Sequence, residues 1–192
     1  MKRLRRLDSS GASAAEFALV LPLLMLFIFG IIDAGRFLWE FNRAEKATQM
    51  GVRYAAVTDM VPATLATQNF ALLNGIPGGD PVPTSEFDTT SCDTTTCTNG
   101  WGYSATAFDN IVTRMNYMYP AITDSNVTVE YTNVGLGYAG DPTGPDVAPL
   151  VTVRLRNMTF QPVVGLIFGL SINMPDFAAG MTLEDGSGTV SN

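Results

Sequence analysis

The chain reads Gly11-Ala12-Ser13-Ala14-Ala15-Glu16-Phe17 near its start, and an unbroken apolar run then continues to Ile32. In an ordinary secretory signal, the small residues of the cleavage site follow the apolar core. Here the small residues come before the core, and the chain directly after Ile32 reads Asp33-Ala34-Gly35-Arg36, with no Ala-x-Ala site. The sequence therefore predicts that the apolar segment is retained and that only the leader, residues 1–11, is open to removal. That leader is basic, with Lys2, Arg3, Arg5 and Arg6.

The apolar run predicts a helix that spans a membrane. From Phe17 to Ile32 such a helix would be about 24 Å long, which is short of the roughly 30 Å of a hydrocarbon core. Beginning at Ala12 lengthens it to about 32 Å, and we expect the span to cover about residues 12–36, with a bend near Pro22. The basic residues on its N-terminal side predict a cytoplasmic N-terminus and a periplasmic C-terminal domain. The expected location is therefore the inner membrane, crossed once.

The N-terminal helix region is expected to cover residues 12–60, with the helix itself continuing beyond the membrane to about residue 59. Apolar or small residues recur in this outer half at steps of three and four, which is the period of an amphipathic helix. The small ones suit close packing against either the chain's own domain or a neighbouring helix, and we favour the first. The residues that carry the pattern are Phe37, Phe41, Ala44, Ala47, Thr48, Gly51, Tyr54, Ala55 and Ala56.

The order of these features resembles the leader of type IV prepilins: a short basic peptide, a glycine, and then a helix with an early glutamate and an aromatic residue. After a cut behind Gly11, Ala12 becomes the first mature residue, Glu16 the fifth and Phe17 the sixth. The resemblance implies cleavage between Gly11 and Ala12 by a prepilin peptidase. It also implies subunit assembly through Glu16 and Phe17, with the Glu16 carboxylate paired with the N-terminal amine of a neighbouring subunit. The alternative is that Glu16 only reaches the membrane interface.

The sequence that follows narrows the resemblance to the TadE family, pilin-like membrane proteins of the Tad/Flp pilus apparatus. It covers about residues 9–57, and beyond them only the general layout is similar. The resemblance implies that the partners are other pilin-like subunits and Flp pilus assembly proteins. The stretches that carry it are Ala14-Ala15-Glu16-Phe17-Ala18-Leu19-Val20-Leu21-Pro22, Phe29-Gly30-Ile31-Ile32-Asp33-Ala34-Gly35-Arg36, and Ala44 to Ala56 with its ending Gly51-Val52-Arg53-Tyr54-Ala55-Ala56.

The rest of the chain, residues 61–192, is acidic. Three arginines stand against twelve aspartates and glutamates, which gives this part a net charge of −9. An acidic surface repels nucleic acid, so nucleic acid is not expected as a partner. The chain has no histidine, and its only lysines are Lys2 and Lys46. Without the commonest general base and metal ligand, we expect no enzyme, no cofactor and no metal site.

Residues 61–192 are predicted to fold as an α+β domain. Residues 105–119 have the pattern of one helix, closed by Pro120. Three segments alternate or are rich in β-formers, and they predict a small antiparallel sheet that the amphipathic helix covers. The predicted strands are Asn126–Thr132, Leu150–Arg156 and Ile172–Leu183.

Two connecting segments are distinct in composition. Residues 74–104 are rich in turn residues and predict an irregular surface loop. Residues 163–170 are apolar but too few to span a membrane, so a buried or membrane-proximal connection is expected. The acidic turn Asp141–Asp146 lacks the ligand pattern of an EF-hand loop, and an ordinary solvated loop is favoured over a weak Ca²⁺ site.

The two cysteines, Cys92 and Cys97, have four residues between them in a Thr-rich stretch. In an exported domain a close pair predicts a disulfide, and this spacing does not match a Cys-x-x-Cys redox motif. Such a small loop contributes roughly 2 kcal/mol in the chain-entropy treatment. It would therefore clip the 74–104 loop more than stabilise the whole domain.

Three functional classes remain open at this point. The resemblance favours a TadE-like minor pseudopilin, a structural component of Tad/Flp pilus assembly and secretion that a prepilin peptidase processes after Gly11. The alternative is an uncleaved, signal-anchored periplasmic binding or sensor module. A membrane-anchored hydrolase is disfavoured because no Ser or Cys nucleophile with an adjacent base is found.

Overall fold

The computed structural model describes residues 9–142 and 144–189. The four basic residues of the leader, Lys2, Arg3, Arg5 and Arg6, lie outside the described residues. The α+β prediction is confirmed by a long N-terminal helix and a small antiparallel sheet. The helices are α1 (Ser9–Ala55), α2 (Ala63–Ala66), α3 (Phe70–Leu73), α4 (Ala105–Asn116) and α5 (Val163–Phe168). The strands are β1 (Thr90–Cys92), β2 (Val127–Thr132), β3 (Leu150–Leu155), β4 (Thr159–Phe160), β5 (Ile172–Asn173) and β6 (Phe177–Thr182).

The chain divides into two compact units. The first contains the described residues up to Trp39 together with Thr159–Ile172. The second contains Glu40–Met158 and the described residues from Asn173 onward. The first unit therefore holds the apolar half of α1 and the helix α5, while the second holds the other half of α1 and the four-stranded sheet.

Helix α1 runs through Pro22 without interruption and ends at Ala55. The prediction placed its end near residue 59, four residues further on. The difference arises because the next backbone groups bind the C-terminal segment instead. The Ala56 carbonyl accepts a hydrogen bond from the Glu184 N–H at 2.8 Å, and the Asp59 N–H donates to the Gly188 carbonyl at 2.8 Å. At its other end, the described residues are helical from Ser9, which is three residues before the predicted start.

The sheet of the second unit has four strands in the order β1-β2-β3-β6, and all neighbours are antiparallel. In its register Val129 lies opposite Val153, which lies opposite Ala179. The prediction of three strands is incomplete because β1 comes from the segment expected to be irregular. Its three residues are too few to show an alternating pattern. The last predicted strand is divided into β5 and β6 around Pro175, which has no N–H to donate to a sheet.

Helix α4 begins as expected, since the Ser104 hydroxyl accepts a hydrogen bond from the Ala107 N–H at 3.3 Å. It ends at Asn116, three residues before the predicted end. Pro120 accounts for this shortening, because a proline disfavours the helical conformation of the residue before it.

The second half of α1 is part of the core of the second unit. Ala44, Ala47 and Ala55 have no exposed surface. A Cβ placed on Gly51 would lie 2.8 Å from the Met115 side chain of α4 and 3.4 Å from Cγ1 of Val153 in β3. The small residues therefore let α1 approach its own domain closely, which is the alternative that the sequence analysis favoured over packing against a neighbouring helix.

Candidate functional site on the N-terminal helix

The four residues predicted for processing and assembly lie in the first turns of α1. Gly11, Ala12, Glu16 and Phe17 are all exposed, and Phe17 keeps 65% of its surface. No other atom comes within 4 Å of a Cβ built on Gly11. Ala12 and Glu16 are four residues apart, so they lie one above the other on the same face of the helix. Helix α1 thus brings a scissile-bond candidate and a carboxylate together at one exposed end.

Large apolar side chains cover about the next four turns of α1, and most of them are exposed. This is the one helix in the described part of the chain that is long and apolar enough to cross a membrane, and none of its most apolar window is buried. Exposed apolar surface of this extent marks contact with lipid or with another protein. The side chains that form it include Leu19, Val20, Leu23, Leu24, Leu26, Phe27, Ile28, Ile31 and Ile32.

A shallow groove runs along this surface near its outer end. Leu26, Phe27, Gly30, Ile31 and Ala34 line it. Gly30 and Ala34 are four residues apart and so share a face, and no atom lies within 4 Å of a Cβ built on Gly30. Two small residues at this spacing allow the backbone of a second helix to approach closely in a membrane.

At the C-terminal end of the apolar run, Asp33 holds the start of helix α5. Its Oδ1 accepts a hydrogen bond from the Val163 N–H at 2.7 Å, and its Oδ2 accepts one from the Val164 N–H at 3.0 Å. The side chain retains only 7% of its exposed surface. A carboxylate at a helix N-terminus satisfies backbone donors that would otherwise have no partner. The sequence did not predict this contact, because 130 residues separate the partners and no local pattern connects them.

Arg36 and Phe37 complete this cluster, which we call the Asp33 cluster (Asp33, Arg36, Phe37, Phe160 and α5). Arg36 forms an ion pair with Asp33, with 3.2 Å between Nη1 and Oδ1. Its guanidinium also lies 5.3 Å from the centre of the Phe160 ring, a cation–π distance. The Phe37 and Phe160 rings meet edge to face with their centres 5.4 Å apart. The segment predicted as a buried or membrane-proximal connection is therefore fastened to the end of the apolar helix.

The disulfide predicted between Cys92 and Cys97 is present. Within its loop, the Asp93 carboxylate accepts hydrogen bonds from the backbone N–H groups of Thr95 at 2.9 Å and Thr96 at 3.0 Å. These two bonds lower the pKa of Asp93. Because no cysteine is free and the loop is closed internally, the pair has a structural role in the fold.

The acidic turn at Asp141–Asp146 is exposed at Asp141, Pro142 and Gly144, in line with the solvated loop that the sequence favoured, and Asp146 is the exception. Asp146 is almost completely buried. Its carboxylate accepts hydrogen bonds from the backbone N–H groups of Phe70 at 2.7 Å and Asp141 at 2.9 Å. Over residues 9–142 and 144–189, no group of three or more Cys, Asp or Glu side chains is placed to hold a metal ion. Asp146 is thus engaged by the chain's own backbone.

Within the second unit, Tyr119 and Glu40 form a hydrogen-bonded ionisable pair on the side of α1. The Tyr119 hydroxyl donates to Oε2 of Glu40 at 3.3 Å, and the Arg43 guanidinium lies 5.4 Å from the centre of the Tyr119 ring. Burial, followed by the nearby Glu40 charge, raises the pKa of Tyr119. A tyrosine kept protonated in this way is a hydrogen-bond donor that positions side chains.

Comparison with known proteins identifies one region. Residues 11–53 match the family model described as TadE-like protein. The chain therefore contains a TadE-like domain, which coincides with α1 from the glycine of the candidate cleavage site to the last turns of the helix. No curated protein matches the chain significantly, and no solved structure does. The resemblance seen in the residues is confirmed for this segment.

Proposed function

We propose that the protein is a minor pseudopilin of a Tad/Flp-type pilus machine, held in the inner membrane by α1 with its acidic part in the periplasm. The TadE-like domain relates the chain to the minor pilins of Tad pili, which are structural proteins. The observation that carries the proposal is that this domain, residues 11–53, includes the whole exposed apolar half of α1, which is headed by Gly11, Ala12, Glu16 and Phe17.

Processing would take place between Gly11 and Ala12. This bond lies within three residues of Ser9, the first described residue of α1. Glycine lowers the local helix stability there. Since nothing packs against Gly11, a prepilin peptidase would reach the bond without disturbing the rest of the fold.

Cleavage would change the electrostatics of the helix end. It removes the basic leader and leaves an amine on Ala12, four residues before Glu16. The carboxylate then lies near the positive end of a helix, where negative charge is stabilised, and near one ammonium group of its own chain or of a neighbour. A carboxylate at the edge of lipid needs such a partner to offset its desolvation. Glu16 would thus set the register between neighbouring helices.

Association between subunits would then use the apolar half of α1. The groove at Gly30 and Ala34 accepts a second helix closely, and the large side chains around it supply dispersion contacts. The partners of this surface would be other pilin-like subunits and the pilus assembly proteins, with the lipid bilayer covering the remainder.

The test is the mass of the intact N-terminus. The full chain is produced in cells with an active prepilin peptidase and in matched cells whose peptidase is inactive, and the membrane-extracted protein is analysed by mass spectrometry. We expect a chain beginning at Ala12 in the first cells and an uncleaved chain in the second. Gly11→Leu should give the uncleaved chain in both.

A full-length wild-type chain in cells with active peptidase would contradict the proposal. That result would instead support an uncleaved, signal-anchored periplasmic binding or sensor module. The two functions therefore differ in one measured quantity, which does not depend on finding the partner proteins first.

A further inference from the structure

The segment that contains α5 exposes large apolar side chains. Leu166, Leu170 and Ile172 keep 66%, 59% and 47% of their surfaces exposed. No charged residue occurs from Asn157 to Pro175, although Arg156 and Asp176 flank this stretch directly. A soluble surface segment of this length normally carries charge, so its environment requires a separate explanation.

The backbone of this segment is held in one conformation. Both carboxylate oxygens of Asp33 fix the start of α5. At the other end, Gly169 adopts a left-handed conformation with φ of 67°, and the Leu170 N–H donates to the Gly165 carbonyl at 2.9 Å. A Cβ on Gly165 would collide with the Leu170 carbonyl oxygen. The exposed leucines are therefore presented by a defined turn of chain.

The Asp33 cluster also marks a level along α1. Asp33 and Arg36 are the first charged residues after the apolar run, and Trp39 is exposed one turn later. Charged groups and tryptophans are typical of the boundary between hydrocarbon and water. Because Asp33 holds α5 directly, the start of α5 lies at the level where the apolar helix surface ends.

We infer that the segment from Val163 to Ile172, called the α5 turn, lies in the outer interfacial region of the same membrane that α1 crosses. Leu166, Leu170 and Ile172 contact lipid at the boundary between headgroups and acyl chains. The inference rests on the proposed insertion of α1. Lipid is the favoured occupant because the α5 turn is uncharged and starts at Asp33, where the exposed apolar surface of α1 ends. Its few apolar residues suit an interfacial position, since they are too few to span.

The α5 turn would give the protein a second attachment to the membrane. One helix alone is free to rotate about its axis and to tilt in a bilayer. A neighbouring apolar turn at the interface restricts both motions. It would thereby orient the groove at Gly30 and Ala34 relative to the membrane surface.

The experiment measures depth at single labelled positions. Leu166→Cys and Leu170→Cys are labelled with the environment-sensitive dye NBD in the full chain, with the Cys92–Cys97 disulfide left oxidised. The proteins are reconstituted into phosphatidylcholine vesicles containing lipids with a nitroxide at a shallow or a deep position. Two matched controls are Ile28→Cys, inside the apolar run, and Leu72→Cys, an exposed leucine of the second unit.

The expected pattern distinguishes the three environments. Labels at 166 and 170 should be quenched several-fold more by shallow than by deep nitroxides, and aqueous iodide should quench them weakly. The label at 28 should respond most to the deep nitroxide. The label at 72 should respond to iodide alone.

Three other quenching patterns are possible, and each contradicts either the position of the α5 turn or the insertion of α1. Labels at 166 and 170 that behave like the label at 72 would overturn the inference while the label at 28 still supports membrane insertion. Shielding from iodide without lipid quenching, increasing with the protein-to-lipid ratio, would overturn it in favour of a second copy. A label at 28 that lipid nitroxides do not quench would overturn the insertion of α1 and this inference with it.

A positioning variant tests the role of Asp33. Asp33→Ala removes both acceptors for the α5 backbone, whereas Asp33→Asn keeps one. In Asp33→Ala, the label at 170 should lose most of its shallow-nitroxide quenching and gain iodide quenching, with the label at 28 unchanged. Asp33→Asn should lie between Asp33→Ala and wild type. Unchanged quenching at 170 would show that Asp33 does not position the α5 turn.

Discussion

The two halves of α1 differ in whether their apolar side chains are exposed or buried. Up to Trp39 the helix is rich in leucine, isoleucine and phenylalanine, and most of these side chains are exposed. From Glu40 to Ala55 the buried positions are mostly small, with Ala44, Ala47 and Ala55 fully buried. One continuous helix therefore contains a surface for other molecules and a surface for its own domain.

The difference shows that residue size separates the two roles better than apolarity does. A helix that packs on its own sheet gains most from close backbone approach, which alanine and glycine permit. A helix that faces lipid or another subunit gains from large side chains, because each removes more area from water. Exposed leucines in the first half thus indicate an external partner, while the buried alanines of the second half need none.

The largest effect should be a loss of subunit assembly in Glu16→Ala, a substitution in the first half of α1 alone. Truncating one partner of a desolvated charge pair costs about 2–5 kcal/mol. We therefore expect pilus yield, and crosslinks between N-terminal helices, to fall by roughly tenfold or more. Cleavage after Gly11 and membrane insertion should remain, since the apolar length is unchanged.

Glu16→Gln is the matched control, because it keeps the size of the side chain and removes its charge. It should behave like Glu16→Ala if the charge sets the register. Normal pili and unchanged crosslinks in both variants would show that Glu16 is only an interfacial residue. The assembly role would then have to be assigned elsewhere on the first half.

A pair of glycines tests the two halves directly. Gly51→Leu should lower the free energy of unfolding by about 1–3 kcal/mol, since added carbon atoms overlap Met115 in a packed core. A Cβ built on Gly30 meets no atom within 4 Å, so Gly30→Leu should leave that free energy unchanged. It should instead weaken crosslinking between N-terminal helices. Urea unfolding of the detergent-solubilised chain, followed by near-ultraviolet circular dichroism, measures the first quantity.

Gly35→Leu is the bulk-matched control for Gly30→Leu. Gly35 also has open space around it, but it lies about 140° around the helix from Gly30. It should change neither stability nor crosslinking. Loss of stability in Gly30→Leu comparable with that of Gly51→Leu would mean that the first half of α1 also packs within its own chain. That result would contradict the difference between the two halves.

The sequence was most informative where the pattern is local. The apolar run and the three-to-four spacing of small residues both repeat within a few turns of one helix. They were therefore sufficient to predict α1 and the face that Ala44 and Gly51 bury. The pairing of Val127–Thr132 with Leu150–Leu155 was also within reach, because both segments alternate over six residues.

The parts that were missed depend on distant partners. No local signal connects Asp33 to Val163, and the proline before Val163 indicates only that a helix is able to begin there. Similarly, β1 is three residues long and is defined by its pairing with β2 rather than by its own composition. The end of α1 was misplaced for the same reason, since Glu184 and Gly188 bind the backbone that follows Ala55.

The smallest effect should be a loss of stability on removing the disulfide at β1, the edge strand of the sheet in the second unit. Replacing both cysteines, Cys92→Ser with Cys97→Ser, removes a cross-link whose small loop is worth roughly 2 kcal/mol at most. The loss should be smaller near neutral pH, because Asp93 already closes the turn through Thr95 and Thr96. The double variant should therefore fold, and an NBD label at position 28 should be quenched as in the wild type.

Acidic pH should enlarge the effect of the double variant. Hydrogen bonds from Thr95 and Thr96 lower the pKa of Asp93, so their stabilisation is complete above the unfolded-state pKa of about 3.9. It is lost as the pH falls through the lower folded-state pKa. The difference in melting temperature between wild type and double variant should widen over that interval. The Asp93→Ala background should abolish the widening, and thiol labelling should find neither wild-type cysteine reactive. If the difference in melting temperature at neutral pH is the same as below the folded-state pKa of Asp93, the disulfide alone closes this loop.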